Sequence, residues 1–453
     1  SSVPPIKGAS WGVLPRMAKM LSWGHFDGRM PIALRRRPPP FLLVLYLPKL
    51  LLRKLLTDVA SVSEPITLWT QSSVGGPSRQ EAPSPAWHTG PNHEPPLPIL
   101  VTGLAGVAGF HAFRWLVARY PGRVWGLRPA NNHHVRGEGI LACNIEDRHG
   151  LERLFREYRF AAVLDAVGNC ALKPCELDPR VAWTINVEGL KNILAAAGRE
   201  KVRLVRLSVD LVFSGKKGGD YVETDPPDPV TVYGKTMAVA EQILLETDPS
   251  ACVLRISLPM GRSPNGHAGA IDWIESRFAA GRPATLYLDE VRTPTYVDCL
   301  SRVCFEALRR PLSGIYHAGG PTRLSLYQIG QIINAVGGYD PDLLFGIPRR
   351  MAGPIPPRAG NVTMNSQKLI TALGYQPFLP WPFDERLIPS HRDWHREPIW
   401  DDLTRKNKAG YLRYAGYIDK LLCRPGRLPE PDPRDISASR VLGREGQAVH
   451  WES

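Results

Sequence analysis

Between about residues 97 and 262 the chain alternates two hydrophobic rhythms. Short apolar runs bounded by Gly, Pro or Asp read as buried strands: "PILVT" (98–102), "RVWGLRP" (123–129), "AAVLDAVG" (161–168), "VRLVRLSVDLVFSG" (202–215) and "ACVLRISLPMG" (251–261). Between them, residues 110–120, 147–158, 178–200 and 232–247 carry apolar positions at helical spacing. Strands separated by helices of this length pair in parallel through right-handed crossovers, which predicts an α/β doubly wound sheet. After about residue 262 the pattern loosens into shorter elements up to "LITALGYQP" (369–377), and from about 390 the chain is charged and irregular. The expected organisation is therefore an extension and linker (1–96), a sheet domain (97–262), a smaller α/β region interleaved with it (263–390) and an irregular tail (391–453).

Composition changes this picture mainly at the ends. The chain has 453 residues, 43% of them apolar, enough for two or three domains with a sizeable core. Its 44 prolines and 41 glycines point to loop or disorder, as in "RPGRLPEPDPRD" (424–435). The net charge is +13, and residues 1–96 hold eleven Lys/Arg against five Asp/Glu. In that stretch "RRRPPPFLLVLYLPKLLLRKLL" sets three arginines before an apolar run. Its longest unbroken part, residues 41–47, is too short to span a bilayer. The stretch reads as a disordered extension, with targeting or membrane association as the other reading. No cluster of basic and aromatic residues supports nucleic-acid binding. Seven cysteines (143, 170, 175, 252, 299, 304 and 423) include no CxxC pair and no zinc spacing, so reduced thiols in a cytoplasm are expected, with no metal.

Chemistry enters at the first turn. Gly103, Leu104, Ala105, Gly106, Val107, Ala108 and Gly109 follow a strand and open a helix. Glycines at this spacing permit a tight turn, close approach of a pyrophosphate and close helix–strand packing, and the helix N-terminus faces the phosphates. The next strand ends in "VWGLRPANNHH", with no acid to accept a ribose hydroxyl but with Arg128, which could meet a 2′-phosphate. NADP is therefore preferred, with NAD possible. Further on, "VYGKTMAVAE" (232–241) opens a helix with Tyr233.

These segments, in order, resemble the extended short-chain dehydrogenase/reductase superfamily, over about residues 97–380. The resemblance rests on "VTGLAGVAG", "DPRVAWTINVEGLKNILAAA", "SVDLVFSG", "YGKTMAVAE", "RTPTYVDCLSRV" and "GIYHAGGPTRLSLYQIGQII". Within it the chain is most similar to the dTDP-4-dehydrorhamnose reductase-like (RmlD-like) group. That group also includes the regulatory beta subunit of methionine adenosyltransferase. The resemblance implies a Rossmann domain for NAD(P)H and a smaller C-terminal domain for a nucleotide-sugar-like substrate. Carried over by position, it implies cofactor contacts at Asn144, Ile145, Ala166 and Val167, and substrate-side roles for Ser208 and Arg292, the latter toward a phosphate. Asn186 matches an Asn of the family's central helix, and Asp298 would cap a helix.

The family's catalytic set is a Ser or Thr, a Tyr, and a Lys four residues after the Tyr, whose charge lowers the phenol from its free value of about 10. Tyr233 is present, but Val209 stands at the Ser/Thr position and Met237 at the Lys position. Ser208 should face away, because adjacent strand residues point to opposite faces. Lys235, about 200° around the helix from Tyr233, should also face away; Lys216 and Lys217 lie in a loop that could fold back. Two readings stay open. One is an NAD(P)-binding protein that senses or binds a nucleotide-sugar-like ligand with weak or lost turnover, with a protein partner if regulatory. The other is an active NADP-dependent reductase or epimerase with a rearranged proton relay. A homodimer is expected for either.

Overall fold

A computed structural model of the chain describes residues 94–198, 202–266, 268–397 and 418–422. The basic, apolar and linker segments read in residues 1–93, and the proline-rich segment 424–435, lie outside the described residues. Seven strands form the central sheet: β1 (Ile99–Val101), β2 (Val124–Arg128), β3 (Ile140–Ala142), β4 (Ala162–Asp165), β5 (Arg203–Val209), β6 (Cys252–Ile256) and β7 (Gly314–Ala318). Their order is β7-β6-β5-β4-β1-β2-β3, and every neighbouring pair is parallel. The doubly wound expectation holds. β1 and β4 are the point where the order reverses, so the crevice at their C-terminal ends is where such sheets take ligands.

The two-residue period of each strand divides the core. Ile99 and Val101 of β1, Leu164 of β4 and Leu254 of β6 face one apolar cluster, together with helices α1 (Val107–Arg119) and α6 (Val297–Arg309). Leu100, Val163, Leu204 and Val253 face the other, against α2 (Arg148–Tyr158), α3 (Gly189–Ala197) and α4 (Val232–Thr247). Both sheet faces are thus covered, as a parallel sheet requires. The long helix predicted over 178–200 is three pieces in register: Pro179–Trp183, a π-helical turn Thr184–Glu188, and α3.

The region beyond 262 supplies α5 (Ala270–Ala279), α6, β7, α7 (Leu326–Gly337) and, with Pro259–Met260 as one strand, three two-stranded sheets. Its contribution to the sheet domain is larger than a separate lobe would give, since α6 packs on α1 and β7 extends the sheet beyond β6. Part of the stretch expected to be irregular also joins the core. Trp394 and His395 are buried, and the Trp381 indole donates to the Leu421 carbonyl at 2.8 Å. Strand β3 escaped the sequence pattern because its three residues sit half exposed at the sheet edge, with no apolar alternation to see.

Candidate functional site

At the end of β1, Gly103 adopts φ +71°, and a Cβ there would lie 2.3 Å from the Ala166 carbonyl oxygen. A Cβ on Gly109 would lie 2.6 Å from the Gly103 oxygen, whereas Gly106 meets nothing closer than 3.5 Å. The first and third glycines are therefore needed by the fold, and the second leaves room for a ligand. Gly106 is the N-cap of α1, and no side chain caps that helix end. Its first-turn N–H groups and the positive end of its dipole face the crevice, which suits a pyrophosphate. Gly103, Ala105, Gly106 and Ala108 keep partial exposure, while Leu104, Val107 and Gly109 are buried. The donor set and the cradle fit a dinucleotide at this end.

Beside the turn, Arg128 ends β2 half buried, and its guanidinium donates to the Pro129 and Ala130 carbonyls at 3.0 and 3.1 Å. Asn144 accepts from the Ala130 amide at 2.8 Å, and Ile145 packs under Gly189 while its carbonyl accepts from Asn192 at 3.1 Å. These residues border the same side of the crevice. Ala166 and Val167 continue from β4, and their amides are already bonded, to the Thr102 hydroxyl (3.1 Å) and the Asp165 carboxylate (3.2 Å).

The other end of the crevice has a different character. Tyr233, Val209 and Met237 come together in one apolar cluster with Leu211, Phe213, Val362 and Met364, and their exposures are 8%, 6% and 2%. A Cβ built on Gly168, just past β4, would touch the Tyr233 hydroxyl at 3.4 Å and the Met237 sulfur at 3.8 Å. The three positions singled out in the sequence are thus neighbours around the end of β4. Burial pushes the Tyr233 phenol well above its ordinary value, and Cys170 and Asp210 push the same way against Arg292 and Arg206. The phenol therefore keeps its proton and is a hydrogen-bond donor at any physiological pH.

The remaining candidates are engaged elsewhere. Ser208 does not reach the Tyr233 side, because its hydroxyl donates to Glu241, which is forked by Arg255 at 2.7 to 3.2 Å. Arg292, read as a phosphate contact, is buried and donates from Nε (2.6 Å) and from a terminal nitrogen to Asp210, and more weakly to Glu290. Its charge is matched inside the protein rather than offered to the crevice. Lys217 pairs with Asp225 at 2.5 Å, and Lys235 is exposed on the far side of α4. Asn186 lies in the π turn, accepting from the Asn169 amide (2.7 Å) and donating to Thr236 (2.8 Å), which bonds the Tyr233 carbonyl (2.9 Å). Helix α6 begins without a side-chain cap, with Asp298 in its first turn rather than at the cap.

Sequence reasoning missed the buried charges around the site. Asp165 at the end of β4 accepts from Thr102 (2.7 Å) and from Arg206 of β5, which also donates to the Asn186 carbonyl (2.9 Å). Asp210 accepts from Ser257 (2.5 Å) as well as Arg292. The only signal in the sequence was charge inside an apolar strand, as with Arg206 in "RLVRLSV". Among the described residues no group of His, Cys, Asp and Glu could hold a metal, and the six cysteines there are free.

Residues 98–382 match the family described as the RmlD substrate binding domain. A dTDP-4-dehydrorhamnose reductase of Aggregatibacter actinomycetemcomitans is 28% identical over 51% of this chain and 75% of its own. The methionine adenosyltransferase 2 subunit beta of Danio rerio is 24% identical over 51% of this chain and 71% of its own. The crystal structure of Thermus thermophilus UDP-glucose 4-epimerase, complexed with NAD, superposes with a TM-score of 0.55 at 26% identity, covering 66% of this chain and 99% of that one.

Proposed function

Because the chain belongs to the RmlD substrate binding domain family, with the extended short-chain dehydrogenase/reductase fold, we propose that it binds a nicotinamide dinucleotide and a nucleotide-sugar-like ligand with little or no hydride transfer. The observation that carries this reading is the apolar cluster in which Val209 and Met237 pack against Tyr233. A bound NAD(P)H supplies a hydride to a carbonyl. The protein's share of that reaction is to hold the carbonyl, deliver a proton and fix the nicotinamide ribose. Val209 has no hydroxyl to hold a carbonyl oxygen. Met237 has no charge to lower the phenol and no donor for the ribose, so Tyr233 keeps its proton. Arg128, with no acid beside it at the end of β2, supports NADP over NAD. The epimerase structure with NAD and the reductase relative support the ligand classes, and the relative named as a subunit of another enzyme supports a regulatory role.

One observation favours the second reading, an active enzyme with a rearranged relay. Arg292 and Arg206 lie near enough for their charge to act on the Tyr233 phenol. Both are committed to carboxylates, which weakens that reading. The test is titration of the purified chain with NADPH and NADH, followed by hydride transfer to a panel of 4-keto nucleotide sugars read at the nicotinamide absorbance. Binding without turnover is expected. Turnover that disappears in Tyr233→Phe would overturn the binding reading.

A further inference from the structure

Resting on that reading, we propose that the adenosine diphosphate half of the dinucleotide is the recognised ligand, and that the nicotinamide half adds almost nothing to affinity. ADP, or its 2′-phosphate, would then be an equivalent ligand for this chain. The argument comes from the contrast between the two ends of the crevice. At the pyrophosphate end the α1 N-terminus carries no side-chain cap, and Gly103, Ala105 and Gly106 keep accessible surface. A Cβ on Gly106 would meet only the Gly103 oxygen, at 3.5 Å, an ordinary contact. Backbone donors presented in this way bind phosphate oxygens without help from a side chain.

At the nicotinamide end several of the protein's polar groups are turned inward. The amides of Ala166, Val167 and Asn169 bond Thr102, Asp165 and Asn186. The Ser208 hydroxyl is spent on Glu241. Val209, Tyr233 and Met237, which a ring or ribose would have to touch, are each more than nine-tenths buried against one another. A charged hydrogen bond to a ribose hydroxyl is worth on the order of ten- to a hundredfold in affinity, and Met237 removes the donor that would make it. The Tyr233 hydroxyl remains as a donor at that end, but it is uncharged and does not replace the lost cation.

The test is isothermal titration of the full chain with NADPH, NADH, ADP, 2′-phospho-ADP and reduced nicotinamide mononucleotide. The expected result is that the matching adenosine diphosphate fragment binds within about threefold of its parent dinucleotide, a difference under about 1 kcal/mol, and that the mononucleotide gives no binding heat. A dinucleotide about tenfold or more tighter than its fragment would overturn the inference and leave the binding function standing. Absence of binding by dinucleotide and fragment alike would overturn both. Turnover on a keto sugar with equal fragment and dinucleotide affinities would overturn the binding function alone. The variant Met237→Lys should tighten NADPH about tenfold while leaving the fragment unchanged. A fragment-to-dinucleotide ratio that does not move in that variant would overturn the assignment of the lost contact to this position.

Discussion

An alanine at Gly103 would combine a left-handed backbone angle with a contact of 2.3 Å to the Ala166 carbonyl, and one at Gly106 would meet only an ordinary contact of 3.5 Å to the Gly103 oxygen. Gly103→Ala should therefore lower stability by on the order of 3 kcal/mol or prevent folding. Gly106→Ala should leave the melting temperature nearly unchanged while weakening dinucleotide binding by about tenfold, because only a ligand needs that space. Thermal melts and titration calorimetry on the pair check this, and equal stability losses would refute the division of labour between the two glycines. Arg292 poses a similar choice. Removal of one partner from a buried ion pair strands the other charge, so Arg292→Ala should cost about 3–5 kcal/mol in denaturant unfolding. A contact waiting for a substrate phosphate would instead change ligand affinity at constant stability. The sequence made Arg292 visible as a charge near the site, but its partner Asp210 stands 82 positions earlier, and nothing in either segment announced the pairing.

Helix α4 was legible to the residue. Thr231 accepts from the Gly234 amide at 3.0 Å to cap its start, and Asp248 precedes a proline that ends it. The central helix was legible as a helix but not as one carrying a π turn, because a single wide turn leaves the apolar period almost intact. That turn places the Asn186 amide between the loop after β4 and α4, so it holds the phenol's helix against that loop. Asn186→Ala leaves the Asn169 amide and the Thr236 hydroxyl with lost partners. The expected cost is about 2–3 kcal/mol, measured as a shift in the denaturant midpoint at constant slope. A cost below about 0.5 kcal/mol, the range of ordinary surface substitutions, would count against this bracing role.

Across the whole molecule, the strand–helix rhythm revealed the fold class because each element buries a face set by its own period, whereas the buried ion pairs join positions far apart and look like surface residues when read singly. His317 on β7 belongs to such a network: its ring meets the Tyr221 carbonyl (3.0 Å) and Arg255 (3.4 Å). Burial, helped by Arg255 and opposed by Glu223, lowers it from 6.5 to about 4. The unfolded chain takes up this proton near pH 6.5 and the folded chain only near pH 4, so stability should fall as pH drops between those values. The loss is up to about 3 kcal/mol. Denaturant midpoints at pH 7.5 and pH 5 should differ in the native chain and differ less in His317→Gln; equal pH dependence in both would assign the loss to other groups. β7 has a consequence for synthesis as well. It covers the outer edge of β6, whose Val253 and Leu254 are fully buried, yet it lies beyond the whole 257–313 excursion. A nascent chain on the ribosome therefore holds an uncovered, apolar strand edge until residue 318 has emerged, a state that invites chaperone capture or aggregation.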